Sequence, residues 1–226
     1  MKIKFFVCLF CLGVSICCAH FIYEYYKLHK AFEKYFTKDN CSLVMDKYYY
    51  INCYSFEHKG PKAIAYELEE SILNLRETSE RSKYRYDLEV PAAYRTYKEN
   101  YIDNKYEKGH ILSSKSMAST SHSQDSTFLM SNIVPQNYQV NQGLWEKAAQ
   151  RERRVAKLQG SAHILNIILY PKEPSEIQYI KNRIAIPKYF IKIIKTTNTE
   201  ECYAIPNENL QNQDLQFYKV DCKWFI

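Results

Sequence analysis

The chain has 226 residues, 46% of them apolar, with few Gly and Pro and no long polar or repetitive tract, which excludes wholesale disorder. That length suits one domain with a real hydrophobic core plus a small appendage, and two domains would be a squeeze. A formal charge of +6 together with 21 Tyr suits an anionic polymer that pairs with Lys and Arg and stacks on rings, although an AT-rich coding sequence would leave the same enrichment.

The amino terminus opens on a short basic stretch, Met1-Lys2-Ile3-Lys4, followed by an uncharged apolar run from Phe5 to Cys18. Such a run has the length of a signal-peptide core and is too short for a full bilayer span, so export is expected, to the periplasm or the medium. Cys17-Cys18-Ala19 can precede a signal-peptidase cut, but Phe21-Ile22-Tyr23 prolongs the apolar stretch. Residues 1–22 therefore read either as a cleaved signal peptide or as a retained anchor that brings the protein to a membrane. Ile16 stands where a lipoprotein site wants a small residue. Cys8-x-x-Cys11 lies inside this leader, where there is no folded scaffold to make it a metal or redox site.

Residues 23–46 read as a linker or short helix, with Tyr26, His29, Phe32 and Phe36 at rough helical spacing, and residues 47–226 as the functional domain. Four cysteines lie beyond the leader. An even number in an exported chain suits two disulfides, and proximity favours Cys41 with Cys53 and Cys202 with Cys222 among the three pairings open to four cysteines. Tyr48 to Phe56 is rich in strand formers, and Lys62 to Leu68 can complete a hairpin across His58-Lys59-Gly60-Pro61. Ile64, Leu68, Ile72 and Leu75 also recur at helical intervals, so a helix competes there.

Glu77 to Asn104 reads as a long surface loop carrying Arg81, Arg85 and Arg95, and long loops in compact domains tend to be functional. Tyr106 to Ser113 is an expected strand whose Gly109 permits close backbone approach. Ser114 to Ser126 is expected to be loop, and Phe128 to Val134 a buried strand leading into a turn at Pro135-Gln136. A helix is expected from Asn141, with Asn141 as its N-cap and Gly160 as its stop. Further strands are expected at Ala162–Tyr170, Ile180–Ile186 and Tyr189–Lys195, with one more in Cys202–Ile226. His163 reads as a buried, satisfied histidine, His122 as exposed, and Leu144 and Trp145 as core.

His110, in Glu107-Lys108-Gly109-His110, and Asn141, in Asn141-Gln142-Gly143-Leu144-Trp145, carry the chemistry. An imidazole can take a proton from water near neutral pH, and a neutral amide oxygen can ligate a hard cation. Cleaving a phosphodiester needs a base for the attacking water, positive charge beside the non-bridging oxygens and stabilisation of the leaving oxygen; one His, one metal ion and one or two Arg can supply these. A strand bearing His110, a second strand and a helix beginning at Asn141 form a ββα finger that would bring the two side chains to one phosphate.

Lys108-Gly109-His110, then Ser131-Asn132-Ile133-Val134-Pro135-Gln136, then Asn141-Gln142-Gly143-Leu144-Trp145, resemble in order the DNA/RNA non-specific endonuclease family of ββα-metal nucleases. Ile184-Ala185-Ile186-Pro187-Lys188-Tyr189-Phe190 and the upstream Ala65-Tyr66-Glu67-Leu68 are also similar, so the resemblance spans roughly Tyr48 to Tyr203 and favours strand at Ala65–Leu68. It implies an α+β fold: a mixed or antiparallel central sheet with an embedded ββα-metal finger. It further implies a Mg²⁺-dependent, or Mn²⁺- or other divalent-cation-dependent, endonuclease that grips DNA and RNA through phosphates. Under this resemblance His110 is the general base, Asn141 the protein ligand to the ion, and Arg81 or Arg85 the phosphate-steadying cation, with Lys108 and Asn132 near substrate.

Three positions depart from the family pattern. Glu107-Lys108-Gly109-His110 stands where the family has Asp-Arg-Gly-His, keeping the charge sign at both places but replacing the Arg fork with a Lys point charge, and Ala149 stands where the family has a Glu that holds metal-bound waters. Glu152, about three turns from Asn141 on nearly the same helical face, is the expected stand-in. The departures leave two alternatives open: a catalytically reduced nuclease fold that binds nucleic acid, and a membrane-tethered nuclease acting in DNA uptake.

Overall fold

A computed structural model describes residues 30–74, 82–102 and 105–226. The leader, with both readings of it, and Arg81 lie outside the described residues. The first described residues form a 3₁₀ turn, Lys30–Tyr35, which seats Phe32 in the interior. β1 (Leu43–Asp46), β2 (Ile51–Ser55) and β3 (Gly60–Glu69) then form an antiparallel meander. β1 falls inside the segment expected to be linker. Met45 turns inward from it, and the Cys41–Cys53 disulfide ties its start to β2. β3 is strand over its whole length, so the helical spacing of Ile64 and Leu68 reflects only that strand side chains alternate between two apolar faces.

After α1 (Glu70–Leu73), residues 82–102 run as two 3₁₀ turns and extended chain. This is less of a surface loop than its polarity suggests, because Asp87, Val90, Thr96 and Tyr101 are buried. Asp87 anchors it by ion pairing with Lys47 at 2.7 Å and accepting a hydrogen bond from Ser131 at 2.5 Å. β4 (Glu107–His110) follows. Ser114 to Ser126, expected to be loop, holds a 3₁₀ turn and α2 (Ser121–Ser126), which Thr120 caps by accepting from the Ser123 amide. Ser and Thr weaken helix interiors but make good caps, which is why composition misled there.

The strand expected from Phe128 begins only at β5 (Ile133–Gln136), after a 3₁₀ turn at Met130–Asn132. β5 pairs antiparallel with β4, setting His110 opposite Ile133 and Gly109 opposite Val134. A side chain at position 109 would put its Cβ 2.2 Å from Gln136 Oε1, so glycine is required where the two strands touch. A π-helical turn, Val140–Trp145, leads into α3 (Glu146–Gln159), and Gly160 ends the helix at φ +85°. Asn141 thus lies within the helical run and is not its cap. β4, β5 and α3 together make the ββα unit.

β6 (Ser161–Leu169) returns to pair with β3. The strand expected over Ile180–Ile186 is instead a hairpin, β7 (Tyr179–Ile180) and β8 (Ile184–Ala185), folded around Asn182 and Arg183 at positive φ. β9 (Tyr189–Lys195), β10 (Glu200–Pro206) and β11 (Lys219–Val220) complete the main sheet, whose order is β1-β2-β3-β6-β9-β10-β11, antiparallel throughout. Cys202–Cys222 joins β10 to the tail.

Both faces of this sheet are covered, so its central strands read as continuous apolar runs. Ile64, Ile164, Ile168, Phe190 and Ile194 face α3, whereas Ala63, Leu165, Ile167, Ile191 and Ile193 face Phe32 and the two disulfides. Burying each Ile or Phe in this way contributes about 1.5–3 kcal/mol. His163 is half-buried on β6, 3.9 Å from Glu67 across the strand pair, and His122 is exposed on α2.

Candidate active site

The ββα unit opens on a cavity of about 670 Å³ bordered by His110 and Lys108 from β4, Asn141 from the π turn and Glu146 and Ala149 from α3. Glu107, Lys115, Tyr84 and Phe128 also lie on its border. The structure therefore brings together His110 and Asn141, separated by about thirty residues in sequence. Trp145 fixes their relation, since its indole N–H donates to the His110 carbonyl at 2.9 Å and ties the end of β4 to the helix. The His110 ring lies edge-on to Phe128 at 4.8 Å and tilted against Tyr84 at 5.4 Å, which restricts its rotation.

Asn141 is oriented by a carboxylate. Its Nδ2 donates to Glu107 Oε2 at 2.7 Å, and Gln142 Nε2 donates to the same oxygen at 2.9 Å. A carboxylate can only accept, so this bond identifies the nitrogen end of the amide and leaves Oδ1 as the end available to a cation. Lys108 reaches over the Tyr84 ring at 5.7 Å and puts positive charge beside the cavity as a point charge, without a guanidinium fork.

Glu146 accepts from Lys115 Nζ at 3.0 Å and from Gln150 Nε2 at 3.3 Å, with Arg153 at 3.5 Å. Burial pushes its carboxyl up, but these three donors outweigh that and hold it below the ordinary carboxylate range. Among the described residues no three His, Cys, Asp or Glu converge as a metal cluster. The donor set is instead one amide oxygen beside carboxylates already engaged by protein donors. That suits a hard cation that keeps most of its waters.

Three expected site residues are elsewhere. Glu152 is fully buried behind the cavity, where it pairs with Lys192 and accepts from Tyr66 Oη at 2.8 Å and Ser116 Oγ at 2.7 Å. Glu152 does not share a face with Asn141 because the π turn holds more residues per turn than the 3.6 of an α-helix, which rotates the rest of the helix away from Asn141. Asn132 is also fully buried, its amide spent on the Leu112 N–H at 2.9 Å and on the Leu112 and Thr127 carbonyls at 3.0 and 2.8 Å. It braces the turn after His110 and does not border the cavity. Arg85 points to solvent while the preceding Tyr84 turns into the cavity, as extended chain alternates.

Sequence reasoning passed over Glu107 as clamp, Glu146, Lys115 and the Tyr84–Phe128 pair. A signal existed for one of them: Glu146 stands one helical turn before Ala149, as Glu152 stands one turn after it, and only the buried Lys192 decides which carboxylate faces inward.

A ββα unit with His and Asn on one polar cavity, set against a large antiparallel sheet, defines a protein of the ββα nuclease fold. The chain belongs to the DNA/RNA non-specific endonuclease family, whose model matches residues 29–224. It is 26% identical over 149 residues to the mitochondrial nuclease EXOG of Danio rerio, covering 62% of this chain and 43% of that protein. To human mitochondrial endonuclease G it is 22% identical over 153 residues, covering 64% and 52%. A nuclease of Nostoc sp. is 28% identical over 200 residues, covering 81% and 69%. The chain thus spans about half the length of the two mitochondrial relatives. A chain of the solved EndoG/EndoGI complex superposes with a TM-score of 0.72 at 20% identity, covering 80% of this chain and 81% of that one, and so shares its fold.

Proposed function

We propose that this protein is an endonuclease that hydrolyses phosphodiester bonds of DNA and RNA with little sequence preference. The observation that carries the reading is the meeting of His110 with an Asn141 amide, oriented by Glu107, on one polar cavity. His110 takes the proton of the attacking water, and the Phe128 and Tyr84 rings hold its imidazole in place. Lys108 and Lys115 supply positive charge beside the phosphate. Asn141 Oδ1 would hold a Mg²⁺ or a similar divalent ion, with water and phosphate oxygens as its other ligands. When bound, such an ion offsets negative charge on the non-bridging and leaving oxygens. Among the described residues no element presents a reader of base edges, so affinity comes from phosphates and falls steeply with salt.

The two disulfides and the leader support action outside a reducing compartment, with the protein released or tethered according to whether the leader is cut. Sequencing the mature amino terminus distinguishes these. His110→Ala is expected to lower plasmid cleavage by about 10²–10⁴-fold while DNA binding and the circular dichroism spectrum persist. A variant cleaving at the wild-type rate would overturn the assignment of the base. Ala149 favours a second reading, a nucleic-acid-binding protein with reduced catalysis. A zymogram run with Mg²⁺ and then with EDTA separates the two, since only the nuclease clears the gel and only with the metal.

A further inference from the structure

A second cavity, of about 360 Å³, adjoins the first and shares Lys115 with it. It lies between α1 and α3 and is bordered by Arg153, Arg154 and Lys157, with Ile72, Leu73 and Leu158 adding apolar surface to its border. The spacing explains the stripe: Gln150, Arg153, Arg154 and Lys157 stand at i, i+3, i+4 and i+7 and share one side of α3. This stripe prolongs the line that Glu146 and Ala149 begin in the first cavity. Arg153 is engaged at the junction with Glu146 and Ser116. Arg154 and Lys157 are exposed and form no ion pair within the described residues. Glu146 borders the first cavity beside this path, and Lys115 and Arg153 already pair with it.

We propose that this groove is an extended binding track for the phosphates of the same nucleic-acid strand whose scissile phosphate enters the His110 cavity. The inference rests on the nuclease reading. Two observations select the occupant: the charge is uniformly positive at the two free side chains, and the groove shares Lys115 on its border with the cavity. Arg154 and Lys157 lie eight and eleven residues beyond Glu146. At about 1.5 Å per residue that is about 12 and 16 Å along the helix. A duplex strand advances about 3.4 Å per nucleotide, so the two side chains meet phosphates about three to five nucleotides from the scissile one. Substrates shorter than this cannot use the track.

The test compares Arg154→Glu/Lys157→Glu with wild type on a 30-base-pair duplex and on a small chromogenic phosphodiester, thymidine 5′-(p-nitrophenyl phosphate), with Mg²⁺ present. The double variant is expected to lose at least about tenfold in kcat/KM on the duplex, mainly through KM, and to stay within twofold on the small diester. The salt dependence of duplex binding, read by fluorescence anisotropy in an inactive His110→Ala background, should shallow by about two in log–log slope. Arg154→Gln/Lys157→Gln should shift in the same direction by less. Equal losses on both substrates, or an unchanged duplex KM and salt slope, would overturn the track. Wild-type protein that cleaves neither substrate would instead sink the nuclease reading, and the anisotropy measurement would still decide whether the groove binds the strand.

Discussion

Glu107 Oε2 accepts hydrogen bonds from both Asn141 Nδ2 and Gln142 Nε2, at 2.7 and 2.9 Å, so one carboxylate on β4 orients the amide on the neighbouring helical turn. Groups that orient a metal ligand typically matter about 10–100-fold in metal affinity or activity. Glu107→Gln replaces an acceptor-only carboxylate with an amide that can present its own N–H, and the Asn141 amide is then free to turn over. The half-saturating Mg²⁺ concentration for plasmid cleavage is expected to rise about 10–100-fold. Gln142→Ala, which leaves the Asn141 bond in place, should shift it little. Equal metal requirements in Glu107→Gln and wild type would show that the clamp is not used.

Ala149, itself buried, borders the cavity on the helix that also carries Glu146. Ala149→Glu adds a second carboxylate on this side of the cavity, a further acceptor for water on a bound cation. We expect the Mg²⁺ requirement to fall by about tenfold, in the range typical of groups that hold metal-bound water. A Mg²⁺ titration beside a thermal melt reads the result. An unchanged or higher requirement in a variant that melts as wild type does would mean that Glu146 already fills this role.

The fold was legible wherever one physical signal dominated. β-Branched runs marked β6 and β9, whose two covered faces are mostly apolar, whereas β3 stayed open between strand and helix until the family resemblance favoured strand. Gly160 marked the end of α3, and the proximity of Cys41 to Cys53 and of Cys202 to Cys222 marked both disulfides. His110 and Asn141 were legible from motif order. What sequence could not carry was phase. A π turn at Val140–Trp145 shifts the facing of every later helical residue, and nothing in its composition announces it. Glu152 and Lys192 illustrate the same gap, since a lone Lys in an apolar strand reads as an edge residue until its buried partner is known. Glu107 looked like a conserved charge sign within a motif, and its contact to Asn141 depends on how β4 meets the helix.

Lys192 and Glu152 are both fully buried and paired, with Lys192 also 4.6 Å from the Trp145 ring that braces His110. Burial lowers the Lys192 ammonium pKa, and Glu152 opposes that shift. Removing one partner strands the other charge in the interior, so Lys192→Met is expected to cost about 3–5 kcal/mol in urea unfolding. Lys192→Met combined with Glu152→Leu removes both charges and should regain most of that loss. A single variant within about 1 kcal/mol of wild type would be far below the usual cost of breaking a buried pair and would count against the pairing.

His58 stacks on Tyr170 at 4.1 Å and shares a hydrogen bond with Ser55 at 2.8 Å. Burial holds its imidazole below the ordinary value of 6.5, Lys62 adds to the effect and Glu57 opposes it. With the folded value depressed, the unfolded chain takes up the proton first as pH falls, and unfolding is favoured. His58 therefore contributes a loss of stability that begins as pH drops below about 6.5 and ends once the folded imidazole is itself protonated. His58→Phe keeps an aromatic ring against Tyr170 but cannot titrate. Urea unfolding at pH 7.5 and pH 5.0 should show wild type losing more stability between the two conditions than the variant does. Because the other histidines are common to both proteins, their contribution cancels in the comparison, and equal losses would mean that the His58 environment does not couple to folding.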